Sequence, residues 1–343
     1  MQSSIIIYGA GAIGCTFYAW LKPYYDDLIL LARGKTADTI RKEGLTIYEN
    51  TKDASHRVSD VKMIEKIDDV SEVPKMVIIT VKNYSLEDVC KNIKNSFPDD
   101  DLLIVTLQNG VENLKILPKY FSRVIYGVIC YNAWRDVPNC IGYKKKGPII
   151  LGTPSQSLSK EINETSKLLN KGFPCEITSY YNDAAHNKIL LNLTNALFTL
   201  IGLGFHQISS LVKFRILTTA IMSEGLKIVK KAGFKEVKLG SLPSWTLLQL
   251  ASLLPGFITN SIFKNTIRKT TGVNSMAQDL LINKSNQTEL ESLNGYFVQL
   301  AKSLGINAKY NQKLYEVCNQ EFSKENFHPL TVDLVWEEFK EIF

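Results

Sequence analysis

The first half of the chain alternates short apolar runs with segments of helical periodicity. The apolar runs are rich in β-branched residues and are bounded by turn-forming residues, as buried strands are. The predicted strands cover residues 4–8, 28–32, 46–48, 56–61, 76–81, 102–107, 124–131 and 149–151, and the clearest helices between them cover 13–21 and 86–96. Strands that alternate with helices predict a parallel sheet covered by helices on both faces.

From Asp183 onward the periodicity is mostly helical. The predicted helices cover residues 183–203, 208–232, 244–263, 273–283, 288–304 and 308–322. Gly233 and Gly305 follow helical runs at the positions where helices commonly end. The pattern therefore predicts an α/β domain over residues 1–180 and an all-α domain over residues 181–343.

A glycine-rich turn joins the first predicted strand to the first predicted helix, with the sequence Gly9-Ala10-Gly11-Ala12-Ile13-Gly14. In this pattern the first glycine permits the turn, the second lets a pyrophosphate approach the backbone, and the third lets helix and strand pack closely. The helix N-terminus then faces the anion. Chance glycines in a turn are the alternative, but the strand before and the helix after favour a Rossmann-type dinucleotide-binding domain.

The second predicted strand ends next to Arg33, and Lys35 follows closely. Proteins that prefer NAD usually carry an acidic residue here, which binds the ribose 2′-hydroxyl. A guanidinium instead matches a 2′-phosphate in charge and in geometry, so the sequence predicts NADP(H) as the cofactor. The alternative is an exposed arginine on a turn, with the choice of cofactor made elsewhere.

Polar residues on one predicted helix are candidates for catalysis. Hydride delivery to a ketone leaves negative charge on its oxygen, which a nearby acid must neutralise. No arrangement of histidines is plausible for this step, so Lys188 is the candidate acid. Asn192 lies four residues on and shares its helix face, and Asn195 follows near that face. A row of polar side chains facing the protein interior is costly to bury unless these side chains bind a ligand. The same pattern equally fits an amphipathic helix that turns its polar side toward solvent.

Composition narrows the functional classes. The chain is 45% hydrophobic and 22% charged, as soluble globular proteins are. The net charge of +6 suits anionic small molecules, and without a dense basic block it argues against a nucleic-acid partner. The six cysteines form no C-x-x-C pair and the four histidines show no ligand spacing. We therefore expect reduced thiols, no metal, no signal peptide and a cytoplasmic location.

Residues 245–263 form a mostly apolar stretch. Pro255 and Gly256 interrupt it and several polar residues dilute it, whereas a membrane-spanning helix needs about 20 predominantly apolar residues. We expect a helix pair that is buried or faces a second subunit, which leaves a homodimer possible, rather than a membrane contact.

The order of these motifs resembles the ketopantoate reductase family, the NADPH-dependent 2-dehydropantoate 2-reductases of pantothenate synthesis, over nearly the whole chain. The resemblance is carried by the glycine loop, Arg33, Thr80-Val81-Lys82, Gln108-Asn109-Gly110, the run from Lys188 to Asn192, the run from Ser275 to Asp279 and the run from Thr288 to Gly295. The last three are far more specific than the glycine loop. The resemblance implies a Rossmann-type domain, a helical domain and a site in the cleft between them.

The resemblance also implies catalytic and substrate-binding roles. Lys188 matches the general acid that protonates the substrate oxygen, and Glu289 matches a glutamate that faces the cofactor and the lysine. Asn192 and Ser275 match substrate-binding positions. Asn109 matches a position shared between substrate and cofactor. The remaining cofactor contacts that the resemblance implies are Lys82 and Ala133.

One departure from the family pattern lies on the substrate side. The family usually carries a second asparagine four residues after the first, followed by proline. Here Ala196 and Leu197 occupy those positions, and Asn195 stands one place earlier. The sequence thus predicts NADPH-dependent reduction of ketopantoate, with reduction of another 2-oxo acid or related carbonyl as the alternative. A non-catalytic NADPH-binding regulator is a third hypothesis, against which the intact Lys188 and Glu289 argue.

Overall fold

The computed structural model describes residues 4–98, 101–240, 242–269, 273–285 and 287–343. The chain divides into two compact units, Met1–Ala185 and His186–Phe343. The first unit is α/β and the second is mostly helical, which confirms the predicted fold class. The sequence pattern placed the change of character slightly earlier, between residues 180 and 181.

The N-terminal unit contains strands, with helices between them. The described strands are β1 (Ile5–Tyr8), β2 (Leu28–Leu31), β3 (Leu45–Glu49), β4 (Ser55–Val58), β5 (Met63–Ile64), β6 (Met76–Ile79), β7 (Leu103–Thr106), β8 (Val124–Ile129), β9 (Ala133–Val137), β10 (Cys140–Tyr143), β11 (Ile149–Gly152) and β12 (Cys175–Ile177). The described helices are α1 (Ala12–Leu21), α2 (Gly34–Glu43), α3 (Leu86–Ser96), α4 (Asn113–Ile116) and α5 (Ser159–Leu169).

Eight strands form the main sheet, in the order β12-β11-β8-β7-β6-β1-β2-β5. The six strands from β8 to β5 are all parallel, and their order is that of the Rossmann fold. The strand order reverses between β1 and β6, and sheets of this kind bind ligands beside that reversal, at the carboxyl ends of the strands. β11 runs antiparallel to β8, so the prediction of a wholly parallel sheet is wrong at this edge.

A second sheet of four strands has the order β4-β3-β10-β9. The two short strands predicted near residues 46 and 56 are β3 and β4, and they belong to this sheet rather than to the main one. β3 pairs antiparallel with β4 and parallel with β10. The indole of Trp134 lies against Gly142, where a Cβ atom would overlap it.

The core of the N-terminal unit follows from its apolar strands. β1, β2, β6, β7 and β8 are buried along their whole length, because helices cover both faces of a parallel sheet. Helix α1 packs an aromatic side chain, Trp20, among Tyr131, Tyr143 and Phe173, with ring centroids 5.0–5.2 Å apart. This packing fixes α1, and with it the glycine turn that precedes α1.

The C-terminal unit is built from helices, the first of which begins at the end of the N-terminal unit. The described helices are α6 (Tyr181–Asn192), α7 (Thr194–Leu200), α8 (Leu211–Lys231), α9 (Trp245–Leu253), α10 (Gly256–Lys269), α11 (Ser275–Ala277), α12 (Tyr296–Ser303), α13 (Lys309–Phe322) and α14 (Val332–Phe339). Single π-helical turns cover Gln278–Ile282 and Glu291–Gly295.

The prediction of one helix over residues 183–203 is wrong, because the chain breaks between α6 and α7 at Leu193. The N–H of Leu193 donates to the carbonyl of Leu190 at 3.2 Å, which tightens this turn. The carbonyl of Leu193 accepts a hydrogen bond from Nδ2 of Asn294 at 3.0 Å, and Asn294 is fully buried. A distant asparagine therefore satisfies the carbonyl exposed by the break.

Two further features bear on the sequence predictions. The six cysteines are free, and burial raises the pKa of Cys15, Cys90 and Cys175 to about 12. Over the described ranges, no group of three or more His, Cys, Asp or Glu residues could hold a metal ion. None of the described helices is both long enough and apolar enough to cross a membrane.

Candidate functional site

In the glycine turn after β1, Gly14 is tightly packed whereas Gly11 faces open space. Gly9 has φ = +118°, a conformation that favours glycine. At Gly14 an added Cβ atom would overlap the carbonyl oxygen of Gly9 and lie 2.7 Å from Oγ1 of Thr80. At Gly11, in contrast, an added Cβ atom would meet no protein atom within 4 Å. The turn therefore holds helix and strand together at Gly14 and leaves open space at Gly11.

The N-terminus of α1 opens at the same turn. Gly11 is the N-cap residue, so no side chain caps the helix, and the first turn contains no acidic residue. Uncapped N–H groups at a helix N-terminus attract an anion, and the helix dipole adds to this attraction. Thr80, which follows β6, fixes the turn, because its hydroxyl donates to the carbonyl of Gly9 at 2.8 Å. This geometry suits a phosphate group.

A buried glutamine ties the carboxyl ends of β6 and β7 together. Nε2 of Gln108 donates to the carbonyl of Ile79 at 3.1 Å and to that of Val81 at 2.9 Å, and its Oε1 accepts from the Thr106 hydroxyl. Asn109 follows directly, and Lys82 follows Val81. Both predicted cofactor residues are thereby held at the edge of the sheet where the glycine turn also lies.

Arg33 lies at the carboxyl end of the neighbouring strand β2 and precedes α2. Its Nη2 donates to the hydroxyl of Tyr8 at 2.7 Å, and its Nε donates to the carbonyl of Glu65 at 3.3 Å. Beside it lies a cavity of about 500 Å³. The cavity is lined by Arg33, Glu65, Lys66, Ile67, Asp68, Asn92 and Asn95. The guanidinium is exposed and held on two sides, so it can still bind an anion.

In the helical unit, Lys188 and Asn192 lie four residues apart on α6 and are both partly exposed. The same helix is anchored by His186, two residues before Lys188. Its Nε2 is hydrogen-bonded to the Tyr296 hydroxyl at 2.6 Å, and its ring stacks on Phe234 with centroids 3.6 Å apart. The α6 segment that carries Lys188 is therefore fixed by a buried polar and aromatic contact.

Asn274 connects α7 to α11. Its Oδ1 accepts from the N–H of Ala277 at 3.0 Å and from the Thr199 hydroxyl at 3.1 Å. Its Nδ2 donates to the carbonyl of Asn195 at 3.4 Å. The Asn274 side chain therefore caps α11, which begins at Ser275. It also ties this end of α11 to α7, the helix that carries Asn195.

The segment that follows completes the arrangement. Glu289 is 3% exposed, and its Oε2 accepts from the Ser275 hydroxyl at 3.5 Å. Asn294, on the π-helical turn just after Glu289, binds the α6–α7 break at Leu193. Three segments are thus linked to one another: the break in α6–α7, the start of α11, and the turn after Glu289.

The structure brings together Asn195, Ser275 and Glu289 through these links, and Lys188 and Asn192 lie on the helix that leads into the break. In the N-terminal unit, the predicted cofactor residues follow strands β1, β2, β6 and β7, and Ala133 begins β9 shortly after β8. The roles of Thr80, Gln108, Asn274 and Asn294 in holding these residues were not predicted. Each belongs to a motif or stands beside one, but each also makes at least one hydrogen bond to a residue far along the chain, which the sequence does not reveal.

The chain is a two-unit α/β protein. Its glycine turn lies beside the strand reversal of a Rossmann-type sheet, and a helical unit follows. Comparison with known proteins gives the family. The model of ketopantoate reductase PanE/ApbA matches residues 5–156, and the model of its C-terminal region matches residues 181–321. The chain therefore belongs to the ketopantoate reductase PanE/ApbA family, which is a family of oxidoreductases.

One relative matches in sequence and two solved structures match in fold, each over nearly its whole length. The 2-dehydropantoate 2-reductase of Pyrococcus horikoshii is 24% identical over 314 residues, which cover 91% of this chain and 95% of the relative. A PanE/ApbA family ketopantoate reductase from Ralstonia eutropha JMP134 superposes with a TM-score of 0.74 at 21% identity, covering 94% of this chain and 99% of that one. D-mandelate dehydrogenase with NADH and anilino(oxo)acetate gives the same TM-score at 18% identity and the same coverage.

Proposed function

We propose that this protein reduces 2-dehydropantoate to pantoate with NADPH, a step of pantothenate and coenzyme A synthesis. The observation that carries the proposal is the linked cluster in the helical unit. A buried glutamate, Glu289, accepts from Ser275, and the same segments bind the helices that carry Lys188, Asn192 and Asn195. These are the residue types that hold a small hydroxylated oxo acid and supply a proton to it.

The N-terminal unit fits a dinucleotide phosphate. The open space at Gly11, the uncapped helix and the Thr80 contact form a cradle for a pyrophosphate. The cavity beside β2 is lined by Arg33 and Lys66 and also by Glu65 and Asp68, so its charges balance and the case for a 2′-phosphate rests on the exposed Arg33 guanidinium, whose fork geometry matches a phosphate. This supports NADPH over NADH. We assign cofactor contacts to the glycine loop (Gly9, Ala10, Gly11, Ala12, Ile13, Gly14), Arg33, Lys82, Asn109, Ala133 and Glu289.

NADPH, when bound, supplies a hydride for the carbonyl carbon of the substrate. Lys188 donates its Nζ proton to the carbonyl oxygen as negative charge develops there. Glu289, whose carboxylate is buried and accepts from the Ser275 hydroxyl, is assigned the role of orienting Lys188, as the family resemblance implies.

The substrate's polar groups are bound by amides and a hydroxyl. Asn192 and Ser275 hold the carboxylate and hydroxyl end, and Asn109 binds near the carbonyl. Asn195 distinguishes this site from the usual family pattern. Its backbone carbonyl is bound by Asn274, which fixes the position of α7, and Ala196 stands where the family usually has its second asparagine.

Reduction of a different 2-oxo acid is the second candidate. Two observations favour it: the missing amide at Ala196, and a superposition on D-mandelate dehydrogenase that is as good as that on a ketopantoate reductase. A site that lacks one amide donor discriminates less against acids that lack the substrate's hydroxyl. Phenylglyoxylate, the oxo acid that corresponds to mandelate, is the substrate that this reading predicts.

A steady-state assay decides between the candidates. NADPH oxidation is followed with 2-dehydropantoate, phenylglyoxylate and 2-oxoisovalerate, each over a range of concentrations. We expect the highest kcat/KM with 2-dehydropantoate. A higher value with phenylglyoxylate would select the second candidate. Tight NADPH binding without oxidation by any of the three acids would overturn both and leave the chain a non-catalytic NADPH-binding protein.

A further inference from the structure

One segment of the helical unit, residues 289–296, contacts α6 on both sides of its candidate catalytic residues. On the N-terminal side, the hydroxyl of Tyr296 is hydrogen-bonded to Nε2 of His186 at 2.6 Å, although the two residues are 110 positions apart. His186 precedes Lys188 by two residues and is only 4% exposed. Its ring is also stacked on Phe234, so a hydrogen bond and ring packing together hold this part of α6.

On the C-terminal side, the same segment contacts the residue that follows Asn192. Nδ2 of Asn294 donates to the carbonyl of Leu193 at 3.0 Å. Asn294 and Leu193 are both fully buried, so removing the amide would leave a buried carbonyl without this hydrogen bond, which is costly. Lys188 and Asn192 therefore lie between the contact made by Tyr296 and the contact made by Asn294.

The segment also carries Glu289 and fixes its backbone. The carbonyl of Glu289 accepts from the N–H of Leu293 at 3.0 Å and from the hydroxyl of Ser292 at 3.2 Å. The N–H of Tyr296 donates to the carbonyl of Glu291, which closes a π-helical turn. Single π-helical turns are rare and often occur at functional sites. One short run of chain therefore holds Glu289 and makes both contacts to the helix that carries Lys188.

The spacing of the two contacts restricts the helix strongly. His186 and Leu193 are seven residues apart, which is two helical turns and roughly 10 Å along a helix. They share one buried face, whereas Lys188 and Asn192 lie on another face and are partly exposed. Hydrogen bonds at two such points limit both the position and the rotation of α6, because each needs its donor within about 3.2 Å of its acceptor.

We propose that Asn294 and Tyr296 are positioning residues, which hold Lys188 and Asn192 in place relative to Glu289. This inference rests on the proposed function. Neither residue is assigned a contact with the substrate or with NADPH, and both act through the part of α6 that they bind. A displacement of about 1 Å at a reacting group can cost about 100-fold in rate, so the two contacts matter beyond the stability of the fold.

Steady-state kinetics with NADPH and the best of the three oxo acids named above test the proposal. Asn294→Leu removes the amide, and Tyr296→Phe removes only a hydroxyl; circular dichroism shows whether each variant is folded. We expect kcat to fall about 10- to 100-fold for Asn294→Leu and about 3- to 10-fold for Tyr296→Phe. The matched control is Tyr315→Phe, which removes a hydroxyl that donates to Glu291 on the same π-helical turn, and it should leave kcat close to the wild-type value.

A second background separates positioning from general destabilisation. A residue that acts through Lys188 loses its effect when the lysine is removed, so each variant should lower kcat by less than about twofold in Lys188→Ala. A change that merely weakens the fold would lower kcat by the same factor in both backgrounds. That result would overturn the proposal.

Hydrogen exchange of residues 186–196, followed by mass spectrometry, reports on the helix without requiring activity. Exchange should become faster in Asn294→Leu and in Tyr296→Phe, and it should not change in Tyr315→Phe. Unchanged exchange in the first two variants would show that their contacts do not hold α6, which overturns the proposal. An active wild type whose kcat survives both substitutions overturns it as well. A wild type that reduces none of the three acids would instead remove the proposed function, on which the proposal rests.

Discussion

At the carboxyl end of β2, Arg33 presents a guanidinium that is held by the Tyr8 hydroxyl and the Glu65 carbonyl but remains exposed. We predict that Arg33→Ala raises the Kd for NADPH about 10- to 100-fold, since a hydrogen bond to a charged group contributes about 1.5–3 kcal/mol. The Kd for NADH should change little, because NADH has no 2′-phosphate. Titration of cofactor fluorescence measures both constants.

The matched control is Arg57→Ala, which removes an exposed arginine from β4 in the same unit. Its effect on NADPH affinity should be small, apart from a weak change in overall charge. If Arg33→Ala weakens NADPH and NADH equally, the arginine supports the fold of the turn and does not select the cofactor.

At the residue scale, the sequence predicted those site residues whose role follows from local context. Arg33 and the three glycines are recognised by their distance from a strand end. The supporting amides are different, because their partners are distant in sequence. Gln108 binds Ile79 and Val81, and Asn274 binds Asn195, and no periodicity encodes such pairs.

At the scale of elements, the β1–α1 turn gives two glycine substitutions with opposite outcomes. Gly14→Ala gains about 1 kcal/mol of helix propensity. Its Cβ atom, however, would overlap the Gly9 carbonyl and push α1 away from β1. We expect a net loss of about 1–3 kcal/mol in the free energy of unfolding, the usual cost of overpacking. Urea denaturation of the protein without cofactor measures it.

Gly11→Ala is the companion variant, because its Cβ atom would point into open space. Its free energy of unfolding should stay within about 1 kcal/mol of the wild type, as for an N-cap substitution. Its affinity for NADPH should fall, since the methyl group occupies the space assigned to the pyrophosphate. Normal NADPH binding by Gly11→Ala would show that the phosphates lie elsewhere.

The elements that the sequence did not predict owe their form to long-range pairing. β10 pairs parallel with β3, almost a hundred residues earlier, and its Gly142 and the neighbouring Pro138 make the segment look like a loop. The break at Leu193 depends on Asn294, about a hundred residues later. Local propensity over residues 183–203 is helical throughout, so only the tertiary contact shows where α6 ends.

At the scale of the whole molecule, the chain divides its residues between two units. The Rossmann-type unit carries the glycine turn proposed to bind the pyrophosphate and Arg33, and the helical unit carries the proposed acid and the amides proposed to bind the substrate. The sequence predicted this division because hydrophobic periodicity changes from strands with helices to helices alone. It did not decide between burial and exposure for residues 245–263, where the side chains of Leu253 and Phe257 are exposed, since an apolar helix face looks the same in a core and at an interface.

The most direct test of this account is the turnover of Lys188→Ala with 2-dehydropantoate and NADPH. General-acid catalysis contributes roughly 10²–10⁴-fold, so kcat should fall by a factor in that range. The Kd for NADPH should stay close to that of the wild type, and so should the kcat of the control Lys231→Ala, at the exposed end of α8. A Lys188→Ala variant that turns over at nearly the wild-type rate would contradict the account, because the proton would then come from another group.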